Sequence, residues 1–564
     1  MKIRKLIACF MAIALLAGCL TGCTGGNTSK PAESSKPAES SKPAESSKPA
    51  ESSTPAESST PAESSTPEPV DPYGAGNFSY PMDKITLTIN QDDIDRSTIP
   101  EWVKGHYSWD VLEEKTGVTL ERIGSESSPQ ETSEAFSLML VSGVYPDLMQ
   151  FNAVTFKGGP GAAISEGYII ALNPYEQYFP ALSGWLAEDE MANKAVRMDD
   201  GTLYCFPNYG DPTTSSNTGF SIRTDYLERV GMEAPETIEE WYNVLKAFKE
   251  QLGLSSPLTF ECRWLYLEYA AAGLSNPWHT CYPFYIDDTT VKFGPSDPGY
   301  KEFVTEMAKW YAEGLIDPDL ASVDKKTVES KMSSGDAGIA LQQVRNTQNC
   351  IKADHSDDPT YKLQGLRSPV MNKGDEPEFG HYTNAFTGGI SISISTQCKN
   401  IPAACRFLDY GYTEEGSMLL AYGTEGFSYN IVDGVPVFTE LVTNNPDTPD
   451  AQAARYYVGQ FANYAVHNTS NRAHMGAEVV EIAKSFDTLM AKHAYPTVTY
   501  TEEEIEAVSA WTDLDTMSRE FITNCILGNN SVDDWDAFLA RLEENGLQGV
   551  LDVRQAAATR YYNR

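Results

Sequence analysis

Residues Ile222–Trp241 read IRTDYLERVGMEAPETIEEW, and the latter part of this stretch specifies a helix. Thr237-Ile238-Glu239-Glu240 has the form of a capping box. In that arrangement a threonine hydroxyl and a glutamate three residues on satisfy each other's free backbone N–H groups. Trp241, Val244, Leu245, Phe248 and Leu252 then recur at helical spacing before Gly253, which predicts a helix with one apolar face closed by a glycine. Outward toward the start, Lys84–Asn90 (KITLTIN) alternates apolar and polar residues as a first strand does. A helix is expected around Trp109–Lys115, ended by Gly117, then a strand at Val118–Glu121, a helix near Thr132–Val141 and a strand over Tyr145–Phe151. Toward the end, Phe303, Val304, Met307, Trp310 and Tyr311 mark the inward face of a helix over Tyr300–Glu313. Gly389–Ser395 alternates again, and Pro402 opens a helical stretch carrying Phe407, Leu408 and, further on, Leu419 and Leu420. Ser531 caps a helix with Trp535, Phe538, Leu539 and Leu542 that stops at Gly546. Strands alternating with helices predict a layered α/β protein.

The first 79 residues are not expected to join that core. Lys2, Arg4 and Lys5 precede an apolar run from Leu6 to Leu16, which is too short to span a bilayer and has the form of an export signal. Two Leu-x-Gly-Cys sequences follow, ending at Cys19 and Cys23. The pattern resembles a bacterial lipoprotein signal, which implies lipidation of Cys23 or Cys19, a membrane anchor, and removal of the residues ahead of the chosen cysteine (within 1–23). From Ser29 the hexapeptide Ser-Lys/Thr-Pro-Ala-Glu-Ser recurs until Pro69. It holds nothing larger than alanine to bury, and its regular prolines favour extended polyproline conformations. Residues 24–79 are therefore expected to be a disordered stalk, its roughly 40 repeat residues at about 3.1 Å each reaching on the order of 100 Å.

Composition narrows the rest. About 490 residues beyond the stalk exceed one compact core and predict two lobes. A formal net charge of −37 would be repelled by nucleic acid and by anionic lipid. Seven cysteines lie beyond the export segment (Cys205, Cys262, Cys281, Cys350, Cys398, Cys405 and Cys525). They are scattered, odd in number and never spaced Cys-x-x-Cys, so buried free thiols are expected rather than disulfides or zinc.

Several separated blocks then carry a resemblance. Asp200–Pro207 (DGTLYCFP), Ile222–Gly231 with Pro235–Thr237 and Glu240-Trp241, Trp310–Pro318 (WYAEGLIDP) and Ser334–Ile339 (SGDAGI) are four of them. Gly411–Gly416, Tyr422–Gly426 and Trp535 to Leu547 complete the set. Together they resemble the family 1 extracellular solute-binding proteins of bacterial ABC importers, of the maltose-binding-protein type. The resemblance runs from about residue 80 to the last. It implies a two-lobed periplasmic-binding-protein fold (type II), joined by hinge strands, that closes on a ligand in the cleft between the lobes. Lobe 1 is expected over about 80–207 and 381–425, and lobe 2 over about 211–380 and 426–564. The expected partners are a carbohydrate ligand and the permease subunits of an ABC transporter, for a monomer held at the extracellular face of the membrane.

A neutral sugar offers hydroxyls and flat C–H faces, so its site needs amides or carboxylates and aromatic platforms. Beside strand ends and in glycine- and proline-rich loops, the candidates are Asn152, Asn208, Tyr209, Trp264, Trp278, Trp102 and Glu425. Trp241, Trp310 and Trp535 lie on apolar helical faces and are expected in the core. The chain has no Gly-x-Ser-x-Gly elbow, no His-Glu-x-x-His and no Walker or dinucleotide loop. Binding without catalysis, cofactor or metal is therefore expected. The alternatives are a surface-anchored carbohydrate-active hydrolase and an adhesive lipoprotein that does not serve transport.

Overall fold

The computed structural model describes residues 71–564 apart from 91–98, 124–128, 154–155, 211–217, 266–271, 381–385, 460–463, 468–474 and 487–491. The export signal, Cys19, Cys23 and the repeat lie outside the described residues. The stalk expectation overran by several residues, because its last part is tied to the folded unit. Asp71 accepts from the Tyr178 hydroxyl at 2.7 Å, and the Tyr73 carbonyl accepts two bonds from the Arg406 guanidinium at 2.9 and 2.6 Å. That guanidinium also lies 4.4 Å from the centre of the Phe78 ring. Aromatic residues absent from the repeat thus set the true boundary.

Two sheets organise the unit. The first contains β1 (Ile85–Ile89), β2 (Val118–Arg122), β3 (Leu148–Asn152), β4 (Phe206–Gly210), β11 (Phe386–Ile394) and β14 (Ala465–His467), in the order β14-β4-β11-β3-β1-β2. β1 runs parallel to β2 and β3, and β14 parallel to β4, while β11 lies antiparallel between β3 and β4. The second sheet contains β5 (Thr218–Arg223), β6 (Ser256–Phe260), β9 (Ala337–Gln343) and β10 (Leu363–Leu366), ordered β10-β5-β9-β6. The hairpins β7 (Phe284–Asp287) with β8 (Thr290–Phe293), and β12 (Tyr429–Val432) with β13 (Val435–Phe438), stand apart from both.

Each sheet has its own apolar core. Leu87, Leu148, Phe206, Ile392, Phe407 and Leu420 belong to the first, and Ile222, Trp241, Trp310, Ile339 and Trp535 to the second. The chain leaves the first sheet at the end of β4, enters the second at β5 and is back in the first at β11. Residues expected in the second lobe after 425 behave differently. Tyr429, Phe438, Val442, Val458 and Tyr464 pack in the first core, and β14 joins the first sheet. The aromatic and aliphatic positions of this stretch face the six-stranded sheet, so the last departure follows β14.

The local elements follow their sequence signals closely. Helix Ile238–Leu252 carries the complete capping box, which stabilises by about 1 kcal/mol, and buries Trp241, Val244, Leu245 and Phe248. Gly117 ends helix Ser108–Thr116 with φ 82°, and a β-carbon there would run into the Met82 carbonyl. The expected continuous helix beyond Pro402 is two helices, Ile401–Tyr410 and Glu414–Tyr422, broken where Thr413 caps the second. All seven cysteines are free, and six are buried. Among the described residues no helix is long and apolar enough to cross a membrane.

One buried ion cluster fixes the second sheet. The Arg223 side chain is fully buried and bonds both oxygens of Asp225 at 2.8 and 2.7 Å, and Asp358 at 2.6 Å. The rings of Tyr226 and Tyr361 lie against the guanidinium, 4.0 and 4.1 Å from it to their centres. Removing one partner of such a cluster strands a buried charge.

Candidate functional site

Parallel strands present their carboxyl ends on one edge of a sheet, and connections leaving that edge supply side chains to a crevice. In the first sheet this edge gathers three of the predicted residues. Asn152 pairs with Ile390 of β11, while Asn208 and Tyr209 pair with Thr387 and Phe386 of the same strand on its other side. All three are half-buried, and Tyr209 lies 5.3 Å from Trp185, ring centre to ring centre.

Two residues that sequence reasoning missed share this edge. Asn90 lengthens the ladder of β1 by side-chain bonds: its amide donates to the Gln150 carbonyl at 3.0 Å and accepts from the Gln150 N–H at 2.7 Å. Gln150 lies on the same face of β3 as Asn152. Its side-chain oxygen is shielded from solvent and has no hydrogen-bond partner among the described residues. A buried, unpaired amide oxygen is energetically unfavourable unless a donor is delivered to it. The signal was available, since Gln150 falls in the predicted strand two residues before Asn152.

Trp102 lies in the connection that follows β1. Its ring stacks on Phe427 at 6.2 Å and meets Tyr457 edge-on at 6.4 Å, and its indole N–H donates to Thr448 at 3.1 Å. His106 stacks on Phe427 as well, at 3.8 Å. Trp102 is thus one member of an aromatic group, not a lone platform. Glu425, two residues before Phe427, is exposed and lines a separate groove of about 480 Å³ with Lys115, Glu414 and Glu415.

The second sheet contributes less. Trp264 lies in the single turn Cys262–Leu265 directly after β6, with its side chain outside the described residues. Trp278 is half-buried, 5.8 Å from Phe303, with its backbone and β-carbon tight against Gly299. It therefore packs on the second core and is not brought to the first sheet's edge. Arg345, just past the end of β9, bonds Asp450 at 2.8 Å, linking the two halves. Among the described residues no cluster of three or more His, Cys, Asp or Glu side chains could hold a metal ion.

Residues 94–418 match the family described as bacterial extracellular solute-binding protein, more than half of the chain. The chain belongs to this family. The Bacillus subtilis (strain 168) lipoprotein LipO is 26% identical over 336 residues, 56% of the chain, and the chain spans 62% of LipO's length. The Streptococcus pneumoniae serotype 4 fructooligosaccharide ABC transporter substrate-binding protein FusA is 22% identical over 485 residues, covering 80% of this chain and 86% of FusA. The crystal structure of the alginate-binding protein AlgQ2 without calcium ion shares the fold with a TM-score of 0.65 and 23% identity, over 85% of this chain and 98% of AlgQ2. The two halves of this solute-binding protein are the lobes of that shared fold.

Proposed function

We propose that this solute-binding protein captures a sugar or oligosaccharide in the cleft between its lobes and delivers it to the permease of an ABC transporter. The reading places it at the extracellular face of a bacterial membrane, as a monomer held through Cys23 or Cys19 on the repeat stalk. Lobe 1 is then 71–210 with 386–467, and lobe 2 is 218–366 with 477–564; sheet and core membership support these bounds.

The observation that carries the proposal is the carboxyl edge of the first sheet, along which Gln150, Asn152, Asn208 and Tyr209 lie. Amides both donate and accept, as sugar hydroxyls require, and the Gln150 oxygen has no partner among the described residues. FusA, named for fructooligosaccharides, and AlgQ2, named for alginate, support a carbohydrate of more than one residue. Closure around it is differential binding, in which the ligand favours the conformation where both lobes touch it.

Calorimetry and thermal shift with fructooligosaccharides, alginate oligomers and a wider glycan panel test the reading, with chromatography of the sugar afterwards. Saturable binding with the sugar recovered intact is expected. Cleavage of the sugar would overturn it in favour of a hydrolase. Failure of every glycan to bind would overturn the carbohydrate assignment.

A further inference from the structure

The two lobes are joined by more than their hinge connections. Helix Leu547–Asn563 belongs to the second lobe: Leu547, Val550 and Ala558 pack in its core, and Gln555 bonds the Val291 N–H and the Thr289 carbonyl of the β7–β8 hairpin. Asp199 belongs to the first lobe, in the turn between Val196 and Leu203, both buried in the first core. The far end of the helix reaches across to that turn. Arg560 bonds one Asp199 oxygen at 2.5 Å and Arg564 bonds the other. Arg564 also donates to the Lys194 and Arg197 carbonyls at 2.8 and 2.5 Å.

The contact is built to survive solvent. Asp199 is 28% exposed, Arg564 12% and Arg560 33%, whereas another cross-lobe pair, Arg345 with Asp450, is 43% and 54% exposed. Glu504 of the second lobe takes the remaining nitrogens of Arg560 at 2.6 Å each, so that guanidinium is oriented whether or not Asp199 is present. Beside the clamp, Gly159 of the first lobe lies against Tyr500 and Ile505 of the second. That glycine begins helix Gly159–Ser165, which follows β3 from its carboxyl edge.

We propose that Asp199, gripped by Arg560 and Arg564, is a stay that limits how far the lobes separate on this flank of the cleft. The inference rests on the two-lobed opening and closing assigned above. A domain pair swings about a few residues, and a strong contact on one flank turns a free swing into a one-sided hinge. Losing the stay shifts the ligand-free population toward wider opening, and apparent affinity falls in proportion to the competent fraction.

The test uses the full chain without ligand, carrying spin labels at the exposed positions Val141 and Lys326, one on each lobe. Asp199→Asn and the double variant Asp199→Asn with Arg564→Gln are compared with the parent. The expected result is a longer and broader distance distribution, larger in the double variant, with circular dichroism and Tm near those of the parent. The single variant keeps Arg560 paired with Glu504 and serves if the double variant misfolds. Distributions that superimpose in folded protein would overturn the stay. No ligand enters this measurement, so its failure leaves the carbohydrate proposal standing, and failure of every glycan to bind leaves the stay standing.

Discussion

The two lobes handle exposure in opposite ways. β5 and β6 are buried at every position and β9 at all but its last, so three strands of the second sheet are sealed and their sequence encodes packing, while the edge strand β10 exposes Gln364. In the first sheet β1 and β3 alternate buried and half-buried residues, and polar side chains reach the edge. The difference separates scaffold from site. The second sheet's most specific block, Ile222–Trp241, builds a capped helix and a caged arginine, whereas the groups proposed to meet a ligand lie mainly at the carboxyl edge of the first sheet.

The largest effect should come from breaking the sealed lobe. Arg223→Met leaves Asp225 buried without its partner, and chemical denaturation should show a loss of about 3–5 kcal/mol. A loss below about 1 kcal/mol would mean that the tyrosine cage, not the ion cluster, holds the sheet.

The first lobe has its own buried charge, resolved differently. Asp409 caps helix Pro180–Glu188 by accepting the Ala181 and Leu182 N–H groups at 3.2 and 2.9 Å. Burial nevertheless pushes its pKa up from 3.8 to about 6, against those bonds and Arg406. A raised folded pKa favours the folded protein below pH 4, an advantage lost as pH climbs through 6. The stability of the parent relative to Asp409→Asn should therefore drop by up to about 3 kcal/mol between pH 3.5 and pH 7. A difference that is flat with pH would refute the raised pKa.

Gly338→Ala returns to the sealed lobe, where an added β-carbon meets the Phe248 ring. Overpacking should cost about 1–3 kcal/mol in denaturant unfolding. Gln150→Ala sharpens the contrast from the other side. Sugar affinity should fall roughly tenfold, about 1.4 kcal/mol, while Tm holds or rises because an unpaired buried oxygen is gone. A fall in Tm without a fall in affinity would return Gln150 to the scaffold. Arg345→Ala, at an exposed cross-lobe pair, should change stability by less than about 1 kcal/mol.

How much of this was legible follows from the same contrast. Packing leaves periodic signals, so Trp241, Trp310 and Trp535 were identifiable as core, and the capping box at Thr237 marked a helix start to the residue. Candidate ligand-facing residues leave no period. Asn152, Asn208 and Tyr209 could be chosen because strand ends are visible, but Gln150 reads as an ordinary strand residue, and only its lack of a partner among the described residues sets it apart. Trp278 shows why: a loop rich in glycine and proline can still press aromatic rings such as Trp278 and Tyr282 onto a core. The crossing after β14 was hidden because the apolar positions of 429–464 fit either core, and only the sheet they cover decides between them.

The free thiols offer a consequence of a different kind. Cys205, Cys398 and Cys405 are buried in the first lobe, and Cys281, Cys350 and Cys525 in the second. Burial lifts Cys205 and Cys398 to about 12, and Cys350 and Cys525 to about 11, so little reactive thiolate forms while the lobes stay folded. Each becomes an alkylation target only when its own surroundings open. The chain thus carries two sets of built-in clocks, one per lobe, and peptide-resolved alkylation rates can time the unfolding of each half without an engineered label.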